Sequence, residues 1–394
     1  MSTIYLDNNA TTQVAPEVLD EMMPYLKDFY GNPSSMHTFG GQIHRKIEEA
    51  RERVAQLLEA EPEEIIFTSC GTESDNTAIM SAVESFPQKR HIITTRVEHP
   101  AVLNFFKHLA RKGYRMSLLP VTGAGRLNPD DVTKSLEDDT ALVSVMYANN
   151  ETGNIFPIQE IGEMLREKRI LFHTDAVQAV GKIQINTKSL PVDMLSLSGH
   201  KLHAPKGMGA LYVRKKTRFS PYMIGGHQER GRRAGTENVA SIIGLGKACE
   251  LARNDMEREG AYLTRLRDRL EKTLLDQCPN CRINGDAANR LPNTTNISFE
   301  YVEGEAILLR LNEYGICASS GSACSSGSLE PSHVLRAMGV PFTAIHGSIR
   351  FSLSRYTTEE EIDKVLDVVP KIIKDLRVLS PFGRGKEPDP IKCP

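Results

Sequence analysis

The chain has 394 residues, 40% of them hydrophobic and 25% charged, with a formal charge of −2. That length suffices for roughly two to three domains with sizeable cores, and the near-neutral balance gives no reason to expect nucleic acid or an anionic membrane as partner. No apolar run approaches the ~18 residues that cross a bilayer, and the opening MSTIYLDNNATTQ lacks a basic segment followed by an apolar one, so a cytoplasmic protein without a signal peptide is expected.

Helical spacing appears first in HRKIEEARERVAQLLEA (44–60), and EIIFTS after it reads as a strand. The strand runs straight into CGTESDNTAIMSA, a tight turn and a helix start. Further apolar, β-branched runs follow in order: HIITT, YRMSLLPV, ALVSVMYA, ILFHTD, DMLSLS and GALYVRK. Helical patterns such as NFFKHLARKG and IQEIGEMLREKR lie between several of them. Such alternation predicts an α/β sheet, mainly parallel and covered on both faces. From about residue 238 a long helical stretch leads out of this unit. Beyond it come strand TNISFEY, helix EAILLRLNEYG, a Ser/Gly-rich stretch, a short helix, strand SIRFSLS and a last helix from about 358 to 376, an order that suggests a smaller α+β domain. The Pro-rich tail GRGKEPDPIKCP is expected to be loose.

Four places in the first unit carry side chains suited to chemistry. Lys201, directly after strand DMLSLS, sits where desolvation can turn a lysine into a nucleophile. Asp175 ends strand ILFHTD, with Gln178 three residues later, and ligands of open α/β sheets bind beyond the carboxyl ends of strands. Gly71 and Thr72 open a helix whose free amides favour a phosphate, and Ser198 and His200 can complete that cradle. His99 follows strand HIITT and can stack on a planar ring or shuttle protons. Each has a plainer reading as a solvated lysine, a turn acid, a capped helix or a loop histidine. Together they supply the parts that pyridoxal phosphate requires: an amine, a carboxylate for a pyridinium, a ring stacker and a phosphate cradle.

Seven cysteines, an odd number scattered through a long chain, do not make a disulfide framework. Cys249, in the helical run SIIGLGKACELA, reads as packing. Cys278 and Cys281 form a C-x-x-C without a second ligand pair at zinc-site spacing. In ICASSGSACSSGS (316–328) the small residues around Cys317 and Cys324 fit a metal clamp, a disulfide or a thiol on a flexible segment.

The motifs YLDNNATT, GNPSSMH, TESDN, VEHPAV, NNETG, HTDAVQAVGK, SGHKLHAPKG, RRAGT, SSGSACSSGSLEPS and SIRFSLSR resemble those of the cysteine desulfurases of the NifS/IscS family. The resemblance implies a fold type I pyridoxal-phosphate enzyme. Its large domain, 15–258, would hold a mainly parallel seven-stranded sheet between helices, and residues 1–14 with 259–394 would form the smaller α+β domain, bearing a mobile catalytic loop at about 318–332. It also implies that Lys201 holds pyridoxal 5'-phosphate as a Schiff base. His99 would stack on the ring and accept the thiol proton, Asp175 would pair with the ring nitrogen and Gln178 would contact the phenolic oxygen. Gly71, Thr72, Ser198 and His200 would grip the phosphate, joined by Thr236 from the partner in a homodimer. Asn150 and Arg350 would orient L-cysteine, Cys324 would be the nucleophile that becomes a persulfide, and no metal site is implied. The sulfur acceptor would be an iron–sulfur scaffold protein of the NifU or IscU kind, with a lean toward nitrogenase maturation. Cys317 falls outside the SSGSAC motif and is expected to be structural, and no role is implied for Cys70 or Cys393. The alternatives are a selenocysteine lyase or aminotransferase on the same cofactor, and a metal-binding interaction module without enzymatic activity.

Overall fold

The computed structural model describes residues 3–320 and 330–380. Its strands are β1 (Ile4–Tyr5), β2 (Ile65–Thr68), β3 (His91–Thr95), β4 (Arg115–Leu119), β5 (Thr140–Ser144), β6 (Leu171–Asp175), β7 (Met194–Ser198), β8 (Gly209–Val213), β9 (Cys281–Ile283), β10 (Thr294–Phe299), β11 (Ile316–Cys317) and β12 (Ser348–Ser352). All seven runs read as strands in the first unit join one sheet, in the order β2-β8-β7-β6-β5-β3-β4. Only β8 runs antiparallel to its neighbours. The strands are apolar without alternation because helices cover both faces; β2, β3, β5, β7 and β8 are buried at every position.

Since β8 is antiparallel to both β2 and β7, those two strands point the same way. Thr68 and Ser198 therefore flank Gly209 in one row at the carboxyl edge. Gly209 is required there: a Cβ would lie 2.8 Å from the Cys70 carbonyl carbon and from Leu197 O. Asp175 ends β6 on the same edge, and the loops after β3 and β5 carry His99 and Asn150. The cavity at this rim thus gathers residues up to 341 positions apart in sequence, from Asn9 to Arg350.

The long helix is Val239–Gln277, 39 residues or about 58 Å. Its first half, including the fully buried Cys249, packs in the core of the large sheet, and its second half supplies Leu263, Leu266, Leu270 and Leu274 to a second core. That second core also takes Ile4 and Leu6, and a three-stranded antiparallel sheet, β12-β10-β9, lies against it. β1 pairs in parallel with β11. These two-residue strands, and β9, are too short for periodicity to reveal. The helix expected from 44 begins earlier, at Thr38, because His37 caps it: its Nδ1 accepts the Gly40 amide at 3.0 Å.

No helix among the described residues is long and apolar enough to cross a membrane.

Candidate active site

The rim encloses a cavity of about 230 Å3 lined by Asn9, Ala10, Cys70, Gly71, Thr72, Asp75, His99, Asn150, Asp175, Gln178, Ser198, His200, Lys201 and Arg350, among others. Ten of the twelve residues expected from the sequence meet there. Thr236 is elsewhere, exposed on the loop before the long helix. Cys324 lies outside the described residues, as do Cys393 and most of the segment 318–332.

Lys201 is placed by a short 3-10 turn directly after β7. Its Nζ donates to Asn9 O and Ala10 O, both at 2.6 Å. These carbonyls belong to the DNNATT stretch, which no side-chain reading would have singled out, because backbone oxygens carry no residue identity. Asn9 O also accepts from Gln178 Nε2 at 3.0 Å.

Asp175 is nearly buried, and its Oδ1 accepts the Val177 amide at 2.9 Å. Burial pushes its carboxyl up to about 6, against the pull of that amide and of Lys201. Two further acids lie deeper. Burial, and then the Asp175 charge, holds Asp75 well above the usual carboxylate range, and burial lifts Glu98 to about 8. With its carboxyl at about 6, Asp175 is mostly ionised at neutral pH and lines the cavity, where it can pair with a ring cation. Neutral His173 bridges Ser144 Oγ at 2.8 Å and Ser196 Oγ at 2.9 Å beneath it, burial pushing its imidazole down to about 3.

His99 is the N-cap of the helix Pro100–Arg111, its Nδ1 accepting the Ala101 amide at 3.1 Å. Burial, with the charges of Lys201 and His333, pushes its imidazole down to about 4. A neutral ring whose Nδ1 accepts must carry its proton on Nε2. In that state the ring presents an N–H at Nε2.

At one end of the cavity the residues suit an acceptor-rich group. Gly71 opens the helix Gly71–Ser85, and Gly71 and Thr72 of its first turn line the cavity. A Cβ on Gly71 would meet Val177 Cγ2 at 2.8 Å and stand 3.9 Å from Ser198 Oγ. Ser198 Oγ itself is buried without a hydrogen-bond partner, an unusual state for a hydroxyl and one a phosphate oxygen resolves. His200 shares a 3.1 Å hydrogen bond with Thr11 Oγ1, and burial pushes its ring down to about 4. Glu73, a negative charge in the first turn, is neutralised by Arg233 at 2.8 Å.

At the opposite end, Arg350 is buried; Nη1 donates to Asn150 O at 2.9 Å, Nη2 to Asp7 Oδ1 at 2.6 Å, and Nε has no partner. Ser319 pairs its backbone with Arg350, its O accepting the Arg350 amide at 2.6 Å. Past the undescribed segment, His333 Nε2 donates to Glu98 O at 2.9 Å and Ser332 Oγ to Glu151 Oε2 at 2.5 Å. Ser319, Ser332 and His333 thus hold the chain on either side of residues 321–329.

Cys317 is partly buried beside Tyr5 in the β1–β11 pair, and Cys281 donates to Cys278 O at 2.7 Å. Neither belongs to a group of three or more potential metal ligands among the described residues.

Residues 4–365 match the family model described as aminotransferase class-V. A cysteine desulfurase of Trichormus azollae is 65% identical over 382 residues, 97% of this chain and 96% of the relative. The cysteine desulfurase NifS of Azotobacter vinelandii is 58% identical over 396 residues, 100% of this chain and 98% of the relative. Among solved structures, a NifS-like protein superposes with a TM-score of 0.90 at 40% identity, covering 95% of this chain and all of that one.

Proposed function

The chain belongs to the aminotransferase class-V family and, within it, to the cysteine desulfurases, and from this premise we propose how its own residues divide the work. The family's cofactor is pyridoxal 5'-phosphate, and the reaction converts L-cysteine to L-alanine while sulfur passes to an enzyme cysteine. When bound, the cofactor supplies an electron sink next to the substrate α-carbon.

The phosphate rests on Gly71, Thr72, Ser198 and His200, with Thr236 reaching it from the second subunit of a homodimer. Tyr222, Met223 and Ile224, large apolar side chains exposed on the segment leading to Thr236, are in keeping with such a contact. Lys201 holds the cofactor covalently. Asp175 keeps a proton on the ring nitrogen, Gln178 donates to the phenolic oxygen, and His99 covers the ring. Arg350 and Asn150 orient the substrate carboxylate, for which the planar guanidinium gives two parallel bonds. Lys201, once replaced by the substrate amine, takes the α-proton at Nζ. Thiolate Cys324 then bonds to the substrate sulfur; the C–S bond breaks, its electron pair stays with carbon, and protonation there yields alanine. The large unit, 15–258, holds the cofactor, and the small unit, 1–14 with 259–394, brings the thiol. The persulfide passes in the cytoplasm to an iron–sulfur scaffold of the NifU or IscU kind, in nitrogenase maturation.

The observation that carries this reading is the convergence of Lys201, Asp175, His99 and the orphaned Ser198 hydroxyl on one cavity. It is tested with Cys324→Ala. That variant should bind the cofactor and exchange it with cysteine as the parent does, yet release no alanine. Alanine turnover at the parent rate would refute the role of Cys324. An aminotransferase, which needs no thiol, would form a keto acid from cysteine in place of alanine, and comparing turnover of cysteine and selenocysteine separates a selenocysteine lyase.

A further inference from the structure

Lys182 follows the turn after β6, outside the set of residues assigned above. Its Nζ donates to two oxygens of one residue: Gln178 O at 3.0 Å and Gln178 Oε1 at 3.1 Å. The side chain is half-buried, and among the described residues no carboxylate forms an ion pair with it. Removal from water, with the charges of Lys201 and Arg350 adding, pushes the amine down to about 7. Capping a turn would need only the Gln178 carbonyl. The bond to Oε1 does something more.

An amide side chain has two ends of opposite character. A lysine amine offers donors only, charged or neutral. With Oε1 taken by Lys182, Gln178 must turn Nε2 the other way, where one of its hydrogens reaches Asn9 O at 3.0 Å, the carbonyl that also holds Lys201. The second Nε2 hydrogen remains for the cavity. We propose that Lys182 is a positioning residue that fixes the Gln178 amide with its N–H toward the phenolic oxygen of the cofactor. This deepens the proposed function and rests on it.

The amine lies between two hollows. One, of about 1050 Å3, carries Glu59, Arg253, Glu257, Arg267 and Arg290; the other, of about 40 Å3, carries Lys201, His203, Glu259 and Arg355. Replacing Lys182 also removes a charge that acts on His200 and His203, so the amide's part of a spectral change is read from the comparison with Gln178→Leu.

The test reads the pH midpoint of the visible absorption band of the protein loaded with pyridoxal phosphate. As pH rises, a proton leaves the nitrogen of Lys201 in the bound form. A donor on the phenolic oxygen favours that loss, so its removal raises the midpoint. Lys182→Met should raise it by about one pH unit, Gln178→Leu by a similar amount, and the double variant by no more than Gln178→Leu alone. An unmoved midpoint in Lys182→Met overturns the proposal. So does a double-variant shift equal to the sum, since that assigns the effect to charge acting independently of the amide. Should Lys182→Met fail to fold, Lys182→Arg keeps the donors and should hold the parent midpoint; a rise matching Gln178→Leu overturns the proposal. A parent with no visible band, or a Gln178→Leu variant with the parent midpoint, rejects the underlying cofactor reading instead and the proposal with it.

Discussion

Replacing Ser198 with alanine should loosen the hold on the cofactor while leaving the fold almost unchanged. The Ser198 hydroxyl lines the cavity beside Gly71 and makes no hydrogen bond to another protein group. Removing one oxygen opens little space, so the cofactor-free variant should unfold within about 1 °C of the parent. The cofactor-bound protein loses a hydrogen bond to a charged phosphate, worth about 1.5–3 kcal/mol, so the dissociation constant for pyridoxal phosphate should rise about 10- to 150-fold. Thermal unfolding with and without the cofactor reads both. Stabilisation by a ligand follows its concentration over Kd, about 2.7 kcal/mol at 100 Kd, and should shrink in the variant while the cofactor-free baseline holds. A variant that keeps the parent affinity would show that this hydroxyl has no part in the cradle.

Arg350→Lys keeps the charge but loses the fork that spans Asn150 O and Asp7 Oδ1; KM for L-cysteine should rise about 10- to 100-fold, with cofactor affinity unchanged by absorbance titration. Glu98 provides a pH signature. Its folded pKa of about 8 stands above the ordinary 4.5 because the group is buried. The stability it contributes is full below pH 4.5 and is lost as pH rises through about 8, by at most about 5 kcal/mol. In urea titrations of the cofactor-free protein, Glu98→Gln should flatten that decline and gain most over the parent at pH 8; parallel profiles for the two proteins would show that Glu98 is ionised in the fold.

The seven sheet strands were legible because strands covered on both faces are unbroken apolar runs, and HIITT or DMLSLS admits no other short element. Lys201, Asp175 and His99 were legible because each directly follows such a run, where an open sheet presents its ligands. The supports were not. Asn9 and Ala10 act through backbone oxygens, Ser198 matters by lacking a partner, and Lys182 is in sequence merely a lysine after a glycine. Asp75 and Glu98 sit in TESDN and VEHPAV, but that both carboxyls are raised follows mainly from burial, which requires the packed structure. The direction of the His99 proton followed only from its cap on Ala101. Of the expected nucleophile, the structure describes the fastened flanks at Ser319 and His333.

The most direct test of sulfur transfer is mass spectrometry of tryptic peptides after incubation with L-cysteine and pyridoxal phosphate. One additional sulfur atom should accumulate on the peptide containing Cys324, and disappear on reduction with dithiothreitol. Extra sulfur on Cys70, Cys317 or Cys393 instead, with the Cys324 peptide unchanged while alanine forms, would contradict the account.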